Sequence, residues 1–184
     1  MTATDFLKWD REQLERHVFM RGEVFAMSGG SLRHSFLGSR AVALLDAALR
    51  GGRCTAHGSD ARIGVDDEHL VYADAVVLCQ PLQFRPGATD VVTNPTVVVE
   101  VLSHTTEAYV RSAKQAGYLA LPSVRHFVLV SQRERRMESY TRTDDGTFLY
   151  RVHGPGDELQ LPAINTSLRV DDVYDGAFEL PGDA

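Results

Sequence analysis

The chain is poor in the residues that mark many small-protein chemistries. Only two cysteines, one tryptophan and four methionines occur in 184 residues. Cys54 and Cys79 form neither a zinc-ligand spacing nor a disulfide framework, so they are expected to pack as small hydrophobes in a reducing cytosol. Seven histidines are scattered without an i, i+4 pair, which argues against zinc. No apolar run approaches the roughly 20 residues of a membrane helix. The opening MTATDFLKWDREQ lacks the basic region and apolar core of a secretion signal. A cytoplasmic protein without a membrane partner is the expectation.

What is present reads as one domain over 1–184. The hydrophobic fraction of 43% and charged fraction of 24% are ordinary for a globular chain. Nineteen basic against 25 acidic residues leave a net charge of −6, which argues against a broad nonspecific nucleic-acid surface. A local basic groove stays open, and part of the acidity suits a metal site.

The order of elements predicts a mixed α/β fold. Thr4 is placed to cap a short helix bearing Phe6, Leu7 and Trp9. HVFMRGEVFAM reads as a β-hairpin turning at Arg21-Gly22. Leu32 to Arg50 carries Phe36, Leu37, Ala41, Leu44, Leu45 and Ala48 at helical spacing, and Gly51-Gly52 stops it. Cys54–Val65 reads as a strand, and LVYADAVVLC (70–79) as a second strand with Asp74 at its centre. The Pro/Gly/Thr-rich loop 81–95 suits a mobile flap. TVVVEVL (96–102) is a buried strand, followed by a helix from Thr105 or Thr106 to about Leu121, closed by Pro122. RHFVLVS (125–131) is another strand. MESYTR and TFLYRVHG make a second hairpin, and Leu159, Leu161, Leu168 and Val173 wrap the core.

Two of these apolar strands carry an internal acid, Asp74 and Glu100. A buried ionised carboxylate costs several kcal/mol unless a partner or cation offsets it. If the strands pair, the two acids converge, and a divalent cation between them relieves their repulsion. Oxygen donors of this kind suit Mg²⁺ or Mn²⁺. The plain alternative is that each acid is solvated at a strand end. On the next helix, Val110, Lys114, Tyr118 and Leu121 share one face. Lys114 lies ~12 Å down that helix and Glu100 ~7 Å down the strand, a difference that an extended lysine leaning toward the helix N-terminus spans. A lysine snorkelling from an apolar face is the alternative.

At these residues the sequence resembles the Uma-two family of restriction-endonuclease-like proteins, within the PD-(D/E)xK nuclease superfamily. MRGEVFAMS, His34, GSDARIGV, VYADAVVLC, VVVEVLSHTTEAYVRSAKQAGY and HFVLVSQRERRMESY carry the resemblance, from about Phe6 to Phe178. It implies a restriction-endonuclease-like core: a mixed central sheet flanked by helices, with an N-terminal β-hairpin. It also implies a Mg²⁺- or Mn²⁺-dependent endonuclease that hydrolyses DNA phosphodiester bonds. Asp74, Glu100 and Lys114 would be catalytic, and Asp74, Glu100 and the carbonyl of Val101 would hold the metal. Glu23, His34 and Asp60 would be accessory. The superfamily's usual lysine, two residues after the acid, is here Leu102, and the family pattern moves it to Lys114. Where an acid is common four residues before that lysine, this chain has Val110. By analogy with the superfamily, the protein would act as a homodimer.

Other features have plainer readings. Ser28 and Ser31 of SGGS lack the Gly-x-Ser-x-Gly setting of a nucleophile, and the loop lacks the Gly-Lys-Ser/Thr ending of a phosphate loop. Arg133, Arg135, Arg136 and Arg142 suit either a DNA backbone or a solvated hairpin edge. Arg111 is the better candidate for a phosphate contact. A second class remains open: a family member without catalysis that binds DNA or protein, which Val110 and the net charge favour. DNA cleavage lost on substitution of Asp74 and Glu100 separates the two.

Overall fold

The computed structural model describes residues 1–27 and 29–183. Its elements in chain order are α1 (Ala3–Asp10), β1 (His17–Met20), β2 (Glu23–Ala26), α2 (Leu32–Leu49), β3 (Cys54–Gly58), β4 (Arg62–Gly64), β5 (His69–Tyr72), β6 (Ala75–Cys79), β7 (Val91–Val92) and β8 (Pro95–Leu102). A helical run follows as α3 (Glu107–Tyr109), a π-helical turn (Val110–Lys114) and α4 (Gln115–Ala120). Then come β9 (His126–Ser131), β10 (Met137–Arg142), β11 (Phe148–His153), β12 (Glu158–Leu161), β13 (Thr166–Arg169) and α5 (Val170–Tyr174).

The expected mixed α/β architecture is present. A six-stranded sheet runs β11-β10-β9-β8-β6-β3, parallel only between β8 and β9. Alternation along β8 sorts its residues between two cores. Val97, Val99 and Val101 pack with α2 and with Leu159, Leu168 and Val173 of the closing segment. Val98 and Leu102 face the other way, toward Val110 and Tyr118 of the helical run. Glu100 belongs by alternation to this second face. A five-stranded sheet, β2-β1-β5-β4-β7, covers its flank, and α1 seats Phe6 and Leu7 against Phe19, Leu70 and Val91.

The two hairpins form as expected; the first turns through Arg21 and Gly22, both at positive φ. Four expectations are corrected. The cap of α1 is Thr2, whose hydroxyl accepts from the Asp5 N–H, and not Thr4. The two long strands predicted over 54–65 and 70–79 are each broken, and their halves lie in different sheets: β3 pairs with β6, and β4 with β5. The hairpin thus bends from one sheet to the other at residues 59–61 and 73–74, and Asp74 stands at that corner instead of mid-strand. The loop 81–95 is not a free flap, because it carries β7 and buries Ala88 and Val91. Finally, the β3–β6 register sets Cys54 directly opposite Cys79, and the two form a disulfide. With their sulfurs bonded to each other, the two cysteines are not the separate thiols that would point to a reducing compartment. Among the described residues, no helix is long and apolar enough to cross a membrane.

Candidate active site

The corner at Asp74 creates a local need for hydrogen bonds. Strand β6 begins at Ala75, which pairs with Val99, so β8 runs on past its neighbour. A backbone N–H or C=O left there without a partner would cost a lost hydrogen bond. Side chains supply the missing ladder. Asp74 Oδ2 accepts from the Val101 N–H at 2.7 Å, and His34 Nε2 donates to the Val101 carbonyl at 3.1 Å. The same nitrogen lies 3.5 Å from Asp74 Oδ2. His34 reaches this point from the first turn of α2, where Ser31 Oγ accepts its backbone N–H. Gly30 leaves space for the ring, since a Cβ there would lie 2.9 Å from it.

Glu100 is only 3% exposed. Lys114 Nζ donates to its Oε1 at 2.7 Å and to the Tyr72 carbonyl, at the free end of β5, also at 2.7 Å. Tyr118 Oη donates to the same Oε1 at 3.1 Å. The π-turn makes this alignment possible. Over eight residues an α-helix overshoots two turns by about 80°, and the wider π winding cancels most of that drift. Val110, Lys114 and Tyr118 therefore all face the sheet. Burial pushes the Glu100 carboxyl up to about 7; Lys114 opposes the rise and the charge of Asp74 adds to it. Burial, then Glu100, holds the Tyr118 hydroxyl well above its ordinary value, so it stays a donor.

Asp74, Glu100, Lys114, His34 and Val101 line one pocket of about 710 Å³. Its opposite wall is apolar, built from Val18, Met20 and Phe25 of the first hairpin. Tyr109 joins the two walls through a hydrogen bond from its Oη to Met20 Sδ, 2.8 Å long. Both donors to Glu100 converge on Oε1. Among the described residues, neither Glu100 Oε2 nor Asp74 Oδ1 accepts a hydrogen bond. No group of three or more His, Cys, Asp or Glu able to hold a metal occurs among these residues. The oxygens on offer are two carboxylates and the Val101 carbonyl, a hard donor set that fits Mg²⁺ or Mn²⁺.

Glu23 and Asp60 are not brought to this pocket. Glu23 is exposed on β2, and Asp60 is exposed in the β3–β4 turn, paired with Arg16. Arg111 is not a free phosphate contact, because it forms a two-pronged pair with Glu138 at 2.8 and 3.0 Å and a third bond to Glu107. Arg142 is likewise spent on the carbonyls of Leu119, Leu121 and Val124. Ser31 is a helix cap, and Ser28 lies outside the described residues. Sequence reasoning missed Tyr118 and the Tyr72 carbonyl. Tyr118, four residues beyond Lys114 on one face, was visible as a stripe member but not as a donor. Nothing local marks a backbone carbonyl at a strand end.

The sequence pattern that defines the Uma2 family, described as a putative restriction endonuclease, matches residues 3–171. An uncharacterized protein of Synechocystis sp. (strain PCC 6803) is 34% identical over 177 residues, spanning 96% of this chain and 92% of its own. A second uncharacterized protein of that organism is 26% identical over 150 residues, spanning 81% and 85%. The crystal structure of a putative nuclease belonging to DUF820 from Anabaena variabilis shares the fold, with a TM-score of 0.78 at 17% identity over 96% of this chain and 99% of that one. The chain belongs to the Uma2 family.

Proposed function

We propose that this protein is a metal-dependent endonuclease that hydrolyses DNA phosphodiester bonds, with Asp74, Glu100 and Lys114 as catalytic residues. One observation carries the reading. Asp74 from the β5–β6 corner and Glu100 from β8 line one pocket, each carboxylate with one oxygen held by protein donors and, among the described residues, the other without a donor. Family membership supports it.

Asp74, Glu100 and the Val101 carbonyl would hold the cation, for which the carbonyl keeps a second lone pair beside its bond from His34. A bound Mg²⁺ or Mn²⁺ would polarise the phosphodiester and lower the pKa of the attacking water. Lys114 places its ammonium against Glu100 and spends two of its three N–H groups on Glu100 and Tyr72. The third, without a partner among the described residues, would stabilise charge developing on a phosphate oxygen. His34 positions Val101 and Asp74.

The test is cleavage of plasmid and oligonucleotide DNA in Mg²⁺ or Mn²⁺ by the native protein, Asp74→Asn, Glu100→Gln and Lys114→Met, with folding checked by circular dichroism. Cleavage by the native protein alone supports the reading. A folded native protein that cleaves nothing, or variants that cleave as well as it does, sinks it. DNA binding without cleavage that survives all three substitutions points to a binding module, the alternative favoured by the buried Val110 and the net charge of −6. Action as a homodimer predicts twice the 20.3 kDa monomer mass by sedimentation.

A further inference from the structure

Asp183 has no part in the catalytic reading, yet its carboxylate reaches the same pocket. Its Oδ2 accepts from the His104 backbone N–H at 3.1 Å and from Gln132 Nε2 at 3.1 Å. It also borders a smaller adjoining cleft of about 150 Å³ whose wall includes Arg33, Arg133 and Ser103.

These donors are held in place. Gln132 is 4% exposed; its Oε1 accepts from Ser31 Oγ at 2.7 Å, and one Nε2 proton goes to the Leu102 carbonyl at 2.9 Å. The reversed amide would set Oε1 against that carbonyl, so the second Nε2 proton is aimed into the cleft. His104 precedes α3, where an N–H has no helix carbonyl to bond. Arg33 is anchored through the Leu180 and Gln132 carbonyls. Glu107, the other acid bordering the cleft, pairs at 2.8 Å with Arg111, a guanidinium it shares with Glu138.

We propose that this cleft is a phosphate subsite for the DNA backbone beside the catalytic acids, and that the Asp183 carboxylate occupies it as an internal stand-in. The proposal rests on the nuclease reading. A carboxylate and a phosphodiester are both oxygen anions that take charge-assisted hydrogen bonds from such donors. DNA must then displace Asp183 before its neighbouring phosphate can seat, which weakens binding by the native protein.

The experiment compares the native protein with Asp183→Ala, an exposed position whose truncation leaves the core intact. Inorganic phosphate is titrated while NMR follows the His104 amide and the Gln132 side-chain amide; a fluorescent oligonucleotide is titrated separately by anisotropy across a salt series. In the variant we expect saturable shifts of both amides at about tenfold lower phosphate than in the native protein, the effect of removing one charge-assisted competitor. Oligonucleotide affinity should rise about tenfold, with a salt dependence steeper by about one phosphate contact. No saturable shift in the folded variant overturns the site. Phosphate binding with unchanged oligonucleotide affinity overturns its role as a backbone subsite, leaving a pocket for free phosphate. Both gains, in a protein that cleaves no DNA, support the subsite and overturn only the catalytic reading.

Discussion

Glu100 and Glu138 are two glutamates on one face of one sheet, and both oppose Leu129, from β8 and β10 respectively. They are 3% and 4% exposed. Residue type and solvent exposure are therefore alike, yet Glu100 lies deeper in the packed interior and the partners of the two acids diverge. Both oxygens of Glu138 are taken, by the two arms of Arg111 and by Tyr150 Oη. Those partners, Arg111 first, hold its carboxyl below the ordinary value. Among the described residues, Glu100 has all its donors on one oxygen and none on the other, and burial drives its carboxyl up to about 7. A saturated buried acid is a fastening. An acid whose second oxygen has no protein donor, in a pocket beside another acid, has spare capacity for a ligand.

The largest effect that would break this contrast is on activity. Glu100→Gln should lower DNA cleavage at least a hundredfold, on the order of the loss of one transition-state contact, and Glu138→Gln should leave most of it. A plasmid-nicking time course decides. Equal losses would mean that saturation does not separate the two acids. Stability should respond the other way. Arg111→Ala removes the two-pronged partner of buried Glu138 and leaves it Arg136 at 3.4 Å and the Tyr150 hydroxyl, and should cost roughly 2 kcal/mol by urea denaturation. Lys114→Ala should cost less, because a carboxyl already near 7 can neutralise itself by taking a proton.

The pH dependence carries opposite signs at the two acids. Glu100 has a folded value raised from 4.5 to about 7, so its contribution is fully present below pH 4.5 and is lost as pH rises through 7. Glu138 has a lowered folded value, so its contribution is present above 4.5 and is lost as pH falls from there through that lower folded value. In metal-free buffer, Glu100→Gln should flatten the loss of stability between pH 5 and 8, an effect on the order of 2 kcal/mol. Glu138→Gln should instead flatten the acid limb below pH 4.5. An unchanged slope between pH 5 and 8 in Glu100→Gln would assign the native trend to other groups. Smallest of all, Glu23→Gln and Asp60→Asn should alter neither cleavage nor stability beyond about 0.5 kcal/mol, as expected of exposed positions. A marked loss of cleavage in either would extend the site beyond the pocket.

The elements with a strong period or punctuation were legible. The α2 stripe, the β8 run and the Arg21-Gly22 turn each follow from residue spacing and local backbone preference, and the structure has all three. The reach of Lys114 to Glu100 was half legible: helix rise and strand rise allow it, while the π-turn that aligns the lysine with the sheet left no mark in the spacing. The broken strands were not. A run such as LVYADAVVLC reads as continuous, since the bend at Ala73-Asp74 is imposed by two sheets competing for its halves. The Cys54–Cys79 bond was hidden for the same reason: only the β3–β6 register sets those residues opposite one another.

By itself, then, the sequence determined which segments are apolar enough to bury, where turns fall, and which two acids and lysine could meet if their strands paired and the helix folded back. Those properties are local, set by side-chain chemistry and residue spacing. Only the tertiary structure decided that Asp74 stands at a corner and stands in for a missing strand, and that Glu138 is neutralised while Glu100 keeps an unbonded oxygen. It alone brought Asp183 to the pocket and left Glu23 and Asp60 outside. Hydrogen-bond partners that are distant in sequence exist only once the sheets have packed, and those partners decide whether a buried charge fastens the fold or is available for chemistry.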